Sequence, residues 1–249
     1  MKIVVAFVLF LLSGAQDIPI TEEEELQYRR ALENEGLFQG DILLTPQQEQ
    51  ARISVVTYTP ILWPNGLMYY SVDSSLSKLK PTIVRAIQHI ESKTCLRFKE
   101  SQTAPDRVVM SYKDGCWSML GKISGTQPLS LGFGCHPFGT VVHEILHAAG
   151  MYREHCRTDR DQYVKIYKNN IKPADADQFD KSPARWEKLL TPFDYNSIMI
   201  YGKKVVFEKW PENHGSQATL EVRLTDPFAK IKNEPKKTSM GFKKSFINA

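Results

Sequence analysis

Between residues 81 and 93 the apolar side chains Ile83, Ile87 and Ile90 recur every three or four positions, which places them on one face of a helix. Pro81 suits the first turn of that helix, where no amide proton is needed. A different texture marks Leu67-Met68-Tyr69-Tyr70-Ser71-Val72 and Arg107-Val108-Val109-Met110-Ser111-Tyr112, bulky runs that predict strands. Trp63-Pro64-Asn65-Gly66, just ahead of the first run, is a turn signal. A second long helix begins near Thr140 and carries His143 and His147, and a short helical stretch surrounds residues 26–32. Residues 115–135 read as a glycine-bearing loop region with Cys116 and Cys135, and residues 202–249 are lysine-rich with weak periodicity. At the start, Lys2 precedes an apolar run too short to span a membrane, and Ser13-Gly14-Ala15 offers small residues for cleavage. Residues 1–15 therefore read as a secretory signal peptide, and the protein as secreted.

Length and composition narrow the class. A chain of 249 residues can bury a substantial core, and its composition is that of an ordinary globular protein. Charge is distributed unevenly: residues 16–52 hold nine acidic and three basic side chains, while residues 53–249 carry a net +9. That asymmetry suggests an acidic leader lying against a basic domain. Secretion makes disulfides permissible for Cys95, Cys116, Cys135 and Cys156, and four cysteines allow three pairings. No nucleic-acid partner and no membrane insertion are expected.

The strongest chemical signal is His143-Glu144-Ile145-Leu146-His147. Two histidines four apart stand one turn above each other on a helix, so their imidazoles can share one zinc ion. Glu144 between them can act on water at that metal. Gly150 then ends the helix, because glycine enters a left-handed turn cheaply. In the longer pattern H-E-x-x-H-x-x-G-x-x-H a third histidine follows the glycine by three residues. Here that position is Arg153, whose guanidinium has no lone pair to offer a metal.

Further segments complete a recognisable set: Gly115-Cys116-Trp117-Ser118, Gly134-Cys135, then Glu154, Arg157, Asp159, Arg160 and Asp161, and finally Ser197-Ile198-Met199-Ile200-Tyr201. Over residues 38–201 the chain resembles the astacin family of zinc metalloendopeptidases, within the metzincins, in proenzyme form. The resemblance implies zinc ligation by His143 and His147 and general-base catalysis by Glu144. It implies that Tyr201 is a movable further ligand that stabilises an oxyanion, and that Met199 lies in a Met-turn as a hydrophobic floor. Glu154 would anchor the new N-terminus of the processed enzyme, and Cys116 would be bonded to Cys135. Phe38-Gln39-Gly40-Asp41 resembles the family's aspartate switch, which implies that the Asp41 carboxylate occupies the zinc in a latent form. Arg52 is the expected processing site, leaving a mature chain that starts near Ile53.

The expected fold is α+β, with a twisted N-terminal sheet, two long helices, an irregular C-terminal half, and a substrate cleft between the halves with the metal at its floor. The expected organisation is a signal peptide over residues 1–15, a propeptide over 16–52 and a peptidase domain over 53–249, divergent after residue 202. The leading function is a secreted zinc endopeptidase made as a latent precursor and holding one zinc ion. With Arg153 in place of the third ligand that zinc is weakly held, and His155 and Cys156 are the nearest substitutes in sequence. The second reading, suggested by Arg153, is a catalytically impaired relative that binds or competes for peptides. No cysteine follows Cys156, so Cys95 is free, paired with Cys156, or bonded to another chain.

Overall fold

Residues 22–53, 61–171, 173–201 and 220–222 are described by the computed structural model. The signal-peptide expectation and most of the segment after Tyr201 lie outside the described residues. The acidic leader supplies α1 (Glu22–Arg30), β1 (Ile42–Leu43) and α2 (Pro46–Ile53). There follow β2 (Leu67–Val72), α3 (Lys80–Lys93), β3 (Arg97–Glu100), β4 (Arg107–Ser111), β5 (Cys116–Met119), β6 (Thr126–Leu131) and α4 (Phe138–Ala148). Later come β7 (Val164–Ile166) and β8 (Leu220–Val222), which pair antiparallel.

The predicted apolar stripe of α3 is buried, with Ala86 joining Ile83, Ile87 and Ile90. Thr94 ends the helix by donating its hydroxyl to the Ile90 carbonyl, and Glu91 ties it to β3 by accepting from the Phe98 amide at 2.9 Å. Six strands form one sheet in the order β1-β5-β6-β4-β2-β3. Within it β5 pairs antiparallel with β6, and the other neighbours are parallel. In β4 the inward positions are Val108 and Met110, as alternation along a half-buried strand requires. These side chains, with Met68 and Leu129, pack against Ile83, Ile87 and Ile90 of α3 and Val142, Ile145 and Leu146 of α4 in one apolar cluster. The expected α+β fold with two long helices is therefore present.

Two features depart from the sequence reading. Residues 115–135 are not a loop region, since they contain β5 and β6, and the Cys116–Cys135 disulfide ties the start of β5 to the turn that follows β6. Both strands are short and β6 holds Pro128, so their strand signal is weak; pairing with each other and with β4 makes them sheet. The leader is also part of the fold, because β1 extends the sheet edge with Ile42 opposite Ser118 and Leu43 opposite Met119. Cys95 is exposed and Cys156 buried, and the two are not paired with each other.

Beyond α4 the chain runs through short 3-10 turns, including Glu154–Cys156, Arg160–Gln162, Pro173–Phe179 and Ala184–Trp186. Guanidinium groups hold these turns together. Arg160 donates from one nitrogen to the His155 and Phe179 carbonyls, at 2.9 and 2.6 Å. Arg157 pairs with Asp159 and donates to Glu154 and to the Thr191 carbonyl. Among the described residues no helix is long and apolar enough to cross a membrane.

Candidate metal centre

Helix α4 is buried from Val141 to Ala148, so His143, Glu144 and His147 lie in the interior and need partners there. After it Gly150 adopts φ +105°, a left-handed geometry that turns the chain back along the helix. That reversal brings the Met151 carbonyl to His147 Nδ1 at 2.6 Å. The Ser197–Ile200 turn places the Ile198 carbonyl 2.9 Å from His143 Nδ1, and Met199 lies buried in the main core beside α4.

A carbonyl only accepts, so both histidines donate from Nδ1, which leaves each neutral ring with a lone pair on Nε2. Those two Nε2 atoms are 3.0 Å apart. Asp41 faces them, with one carboxylate oxygen 2.9 Å from His143 Nε2 and the other 3.2 Å from His147 Nε2. Lone pairs and a carboxylate turned toward one point repel unless a cation lies among them. On His143 a proton is disfavoured, because burial lowers its pKa to about 4 despite the Asp41 hydrogen bond. A metal ion fits this donor set: two nitrogens at about 2.0–2.1 Å from a tetrahedral zinc lie roughly 3.3 Å apart. Nδ1 hydrogen bonds to backbone carbonyls are also what orient ligating imidazoles. Among the described residues, Asp41, His143 and His147 form the one group of such side chains arranged to hold a metal.

Glu144 is fully buried, and among the described residues neither of its carboxylate oxygens has a hydrogen-bond partner. Burial, reinforced by the Asp41 charge, pushes its pKa well up, with Arg153 opposing. An orphaned carboxyl on the helix between the two histidines suits a group whose partner arrives with metal, water or substrate.

Arg153, only 1 % exposed, occupies the side of the site where the longer motif has its third histidine. Its guanidinium grips Asp41 with two nitrogens, Nε lying 3.1 Å from Oδ1 and the terminal nitrogen contacting Oδ2. It also lies over the Tyr201 ring, 3.8 Å from the centroid. Burial alone would raise the Asp41 pKa, but Arg153 and the two histidines reverse this and hold it well below the carboxylate range.

The remaining expected site residues are distributed around this cluster. The Tyr201 hydroxyl sits between the Gln39 carbonyl at 3.1 Å and Gln178 Oε1 at 2.9 Å, and burial pushes its pKa well above the phenol value. The structure thus turns that hydroxyl toward the leader. His155 stacks on the Tyr201 ring with centroids 4.4 Å apart and accepts from the Tyr201 amide through Nδ1. Burial keeps the Cys156 thiol protonated, with a pKa pushed up to about 12, and it donates to the Gln178 carbonyl. Neither His155 nor Cys156 joins the metal group. Glu154 accepts from the Asp194 amide at 2.8 Å and from Arg157 at 3.2 Å. Sequence reasoning missed Gln39, Gln178 and Ser182, which seat the leader: Gln39 donates to Ser182 and accepts from the Arg153 amide. Only the position of Gln39 beside Gly40-Asp41 hinted at such a role. At Gly40, with φ +87°, an added side chain would meet Gln178 and the Tyr201 hydroxyl within 2.8 Å, so glycine is required by close approach.

Comparison with known proteins gives consistent matches. The family model described as Astacin, a family of peptidases, matches residues 55–225. Astacin-like metalloprotease toxin 5 of Loxosceles gaucho is 39% identical over 170 residues, covering 67% of this chain and 91% of the relative. Zinc metalloproteinase nas-15 of Caenorhabditis elegans is 41% identical over 146 residues, which cover 57% of this chain but 26% of that protein. Among solved structures, High choriolytic enzyme 1 of Oryzias latipes, a hatching enzyme zinc-protease, superposes with a TM-score of 0.59 at 33% identity. That match covers 67% of this chain and 82% of the other.

Proposed function

The chain belongs to the astacin family of zinc metalloendopeptidases, and we propose that His143 and His147 hold its zinc while the leader keeps it latent through Asp41. The observation that carries this reading is the pair of imidazole Nε2 atoms 3.0 Å apart, both facing the Asp41 carboxylate. Zinc held there would supply Lewis acidity toward a peptide carbonyl and acidify water for attack.

The chain's own residues then divide the work. His143 and His147 are locked in the ligating tautomer by the Ile198 and Met151 carbonyls. Glu144, once Asp41 and its charge have left, takes the proton of the attacking water and passes it to the leaving amine. Tyr201, freed from Gln39, donates its hydroxyl to the developing oxyanion. Met199 packs beneath the histidines as an apolar floor. In the latent form β1 fills the edge of the sheet and Asp41 fills the catalytic position, so a substrate strand has no place to pair. We read residues 1–15 as a signal peptide, 16–52 as the propeptide removed after Arg52, and 53–249 as the secreted peptidase. Glu154 would then accept the new N-terminus, and its substrates are proteins or peptides.

Processing the full chain after Arg52 in the presence of zinc, then measuring cleavage of a quenched peptide library, tests this. Activity is expected only after processing, and Glu144→Ala should lower it by about 100-fold or more. A folded, processed, zinc-loaded chain with no activity would contradict the proposal.

A further inference from the structure

The two histidines and Arg153 hold Asp41 in physically different ways. Each imidazole donates from Nδ1 to a carbonyl and turns Nε2 toward Asp41, so a neutral ring has no proton of its own to give the carboxylate. Arg153 needs no intermediary: two of its nitrogens donate to the two carboxylate oxygens in a fork that matches the group. Among the described residues its ion pair is with Asp41 alone. The backbone of Arg153 reaches the leader as well, donating to Gln39 Oε1 at 3.3 Å, and the Tyr201 ring lies beneath the guanidinium. Leader and guanidinium therefore share a closed site beside the metal position.

We propose that Arg153 is a carboxylate-binding residue that docks the leader: it holds Asp41 directly, so the leader stays seated when the metal is removed. The position that the longer motif gives to a metal ligand has become, in this chain, the anchor of the inhibitory segment. Latency then no longer depends on metal occupancy. Release of the leader would strand a buried cation without its counter-charge, which opposes undocking further. This inference rests on the reading of residues 16–52 as a docked propeptide, and it makes no demand on catalysis.

Amide hydrogen exchange on the full chain tests it, with residues 38–43 reporting docking and β4 reporting the intact fold. Each protein is measured with zinc and with a zinc chelator. In the wild-type chain, exchange at residues 38–43 should change by less than about twofold on chelation, with β4 unaffected. Arg153→Met should speed exchange there by about 100-fold in chelator. Arg153→His should be protected with zinc and lose that protection with chelator. Should Arg153→Met disturb β4 as well, Arg153→Lys keeps the charge without the fork and should still speed exchange about tenfold. The inference is overturned if chelation alone frees residues 38–43 in the wild type, or if Arg153→Met leaves them protected in chelator. Zinc content of the same samples separates this from the metal reading. A wild-type leader that stays docked in a chain binding no zinc would support Arg153 as the anchor while removing zinc from the site.

Discussion

The two halves of this molecule are stabilised by different kinds of interaction. From β2 to α4, two helices press apolar faces onto a sheet, and the buried apolar positions are mostly Ile, Val, Leu and Met. From Arg153 to Tyr201, 3-10 and other turns are held by Arg157 and Arg160 reaching carbonyls and carboxylates. Apolar packing is non-directional and reads out area; guanidinium contacts are directional and read out geometry. The site sits on the seam. The first half supplies His143, Glu144 and His147 on a rigid helix, and the second supplies Arg153 and Tyr201 on turns.

This contrast can be broken by mutation. The largest expected effect is in the apolar half: Ile90→Ala should cost about 2–5 kcal/mol in denaturant unfolding, because Ile90 is fully buried between α3 and the sheet. In the turn-built half, Arg160→Met leaves the His155 and Phe179 carbonyls short of a donor and should cost about 2 kcal/mol. An unchanged unfolding midpoint in Arg160→Met would mean that guanidinium contacts do not hold that half.

A smaller effect compares the halves by pH. His143 in the first half and His155 in the second are both buried, and burial lowers both pKa values, to about 4 for His143. A histidine neutral in the fold but protonated when unfolded makes stability fall as pH drops below the unfolded value near 6.5. The loss for each should be about 1.4 kcal/mol between roughly pH 7.5 and 5.5. Glu144 acts in the opposite sense, since its raised pKa costs stability as pH rises above the unfolded value. The metal-free Glu144→Gln chain therefore removes that opposing carboxyl, and adding His155→Phe should lower the remaining loss between roughly pH 7.5 and 5.5 by about 1.4 kcal/mol. An equal slope with and without His155 would show that the second half does not bury a neutral imidazole.

Legibility in the sequence followed the same division. Helix α3 was readable from its apolar period, strands β2 and β4 from their bulky runs, and α4 from the spacing of its two histidines. Strands β1, β5 and β6 were not, because two to six residues with Pro128 among them become sheet only through their partners. The site divided likewise. His143, Glu144 and His147 are fixed by helical spacing, and Asp41 and Arg153 were each singled out, one by resemblance and one by departure from it. Their bond to each other was not foreseen, because 112 residues separate them and no local pattern links an acid in a leader to a base beyond a helix. Gln39 and Gln178 were missed for the same reason.

Zinc binding to the full chain, measured by metal analysis after dialysis with His143→Ala and His147→Ala alongside, is the most direct test of the metal centre. The expected result is about one zinc per wild-type chain, held by His143, His147 and Asp41, and almost none in either folded variant. A folded wild-type chain that retains no zinc, or a His147→Ala chain that retains as much, would contradict it.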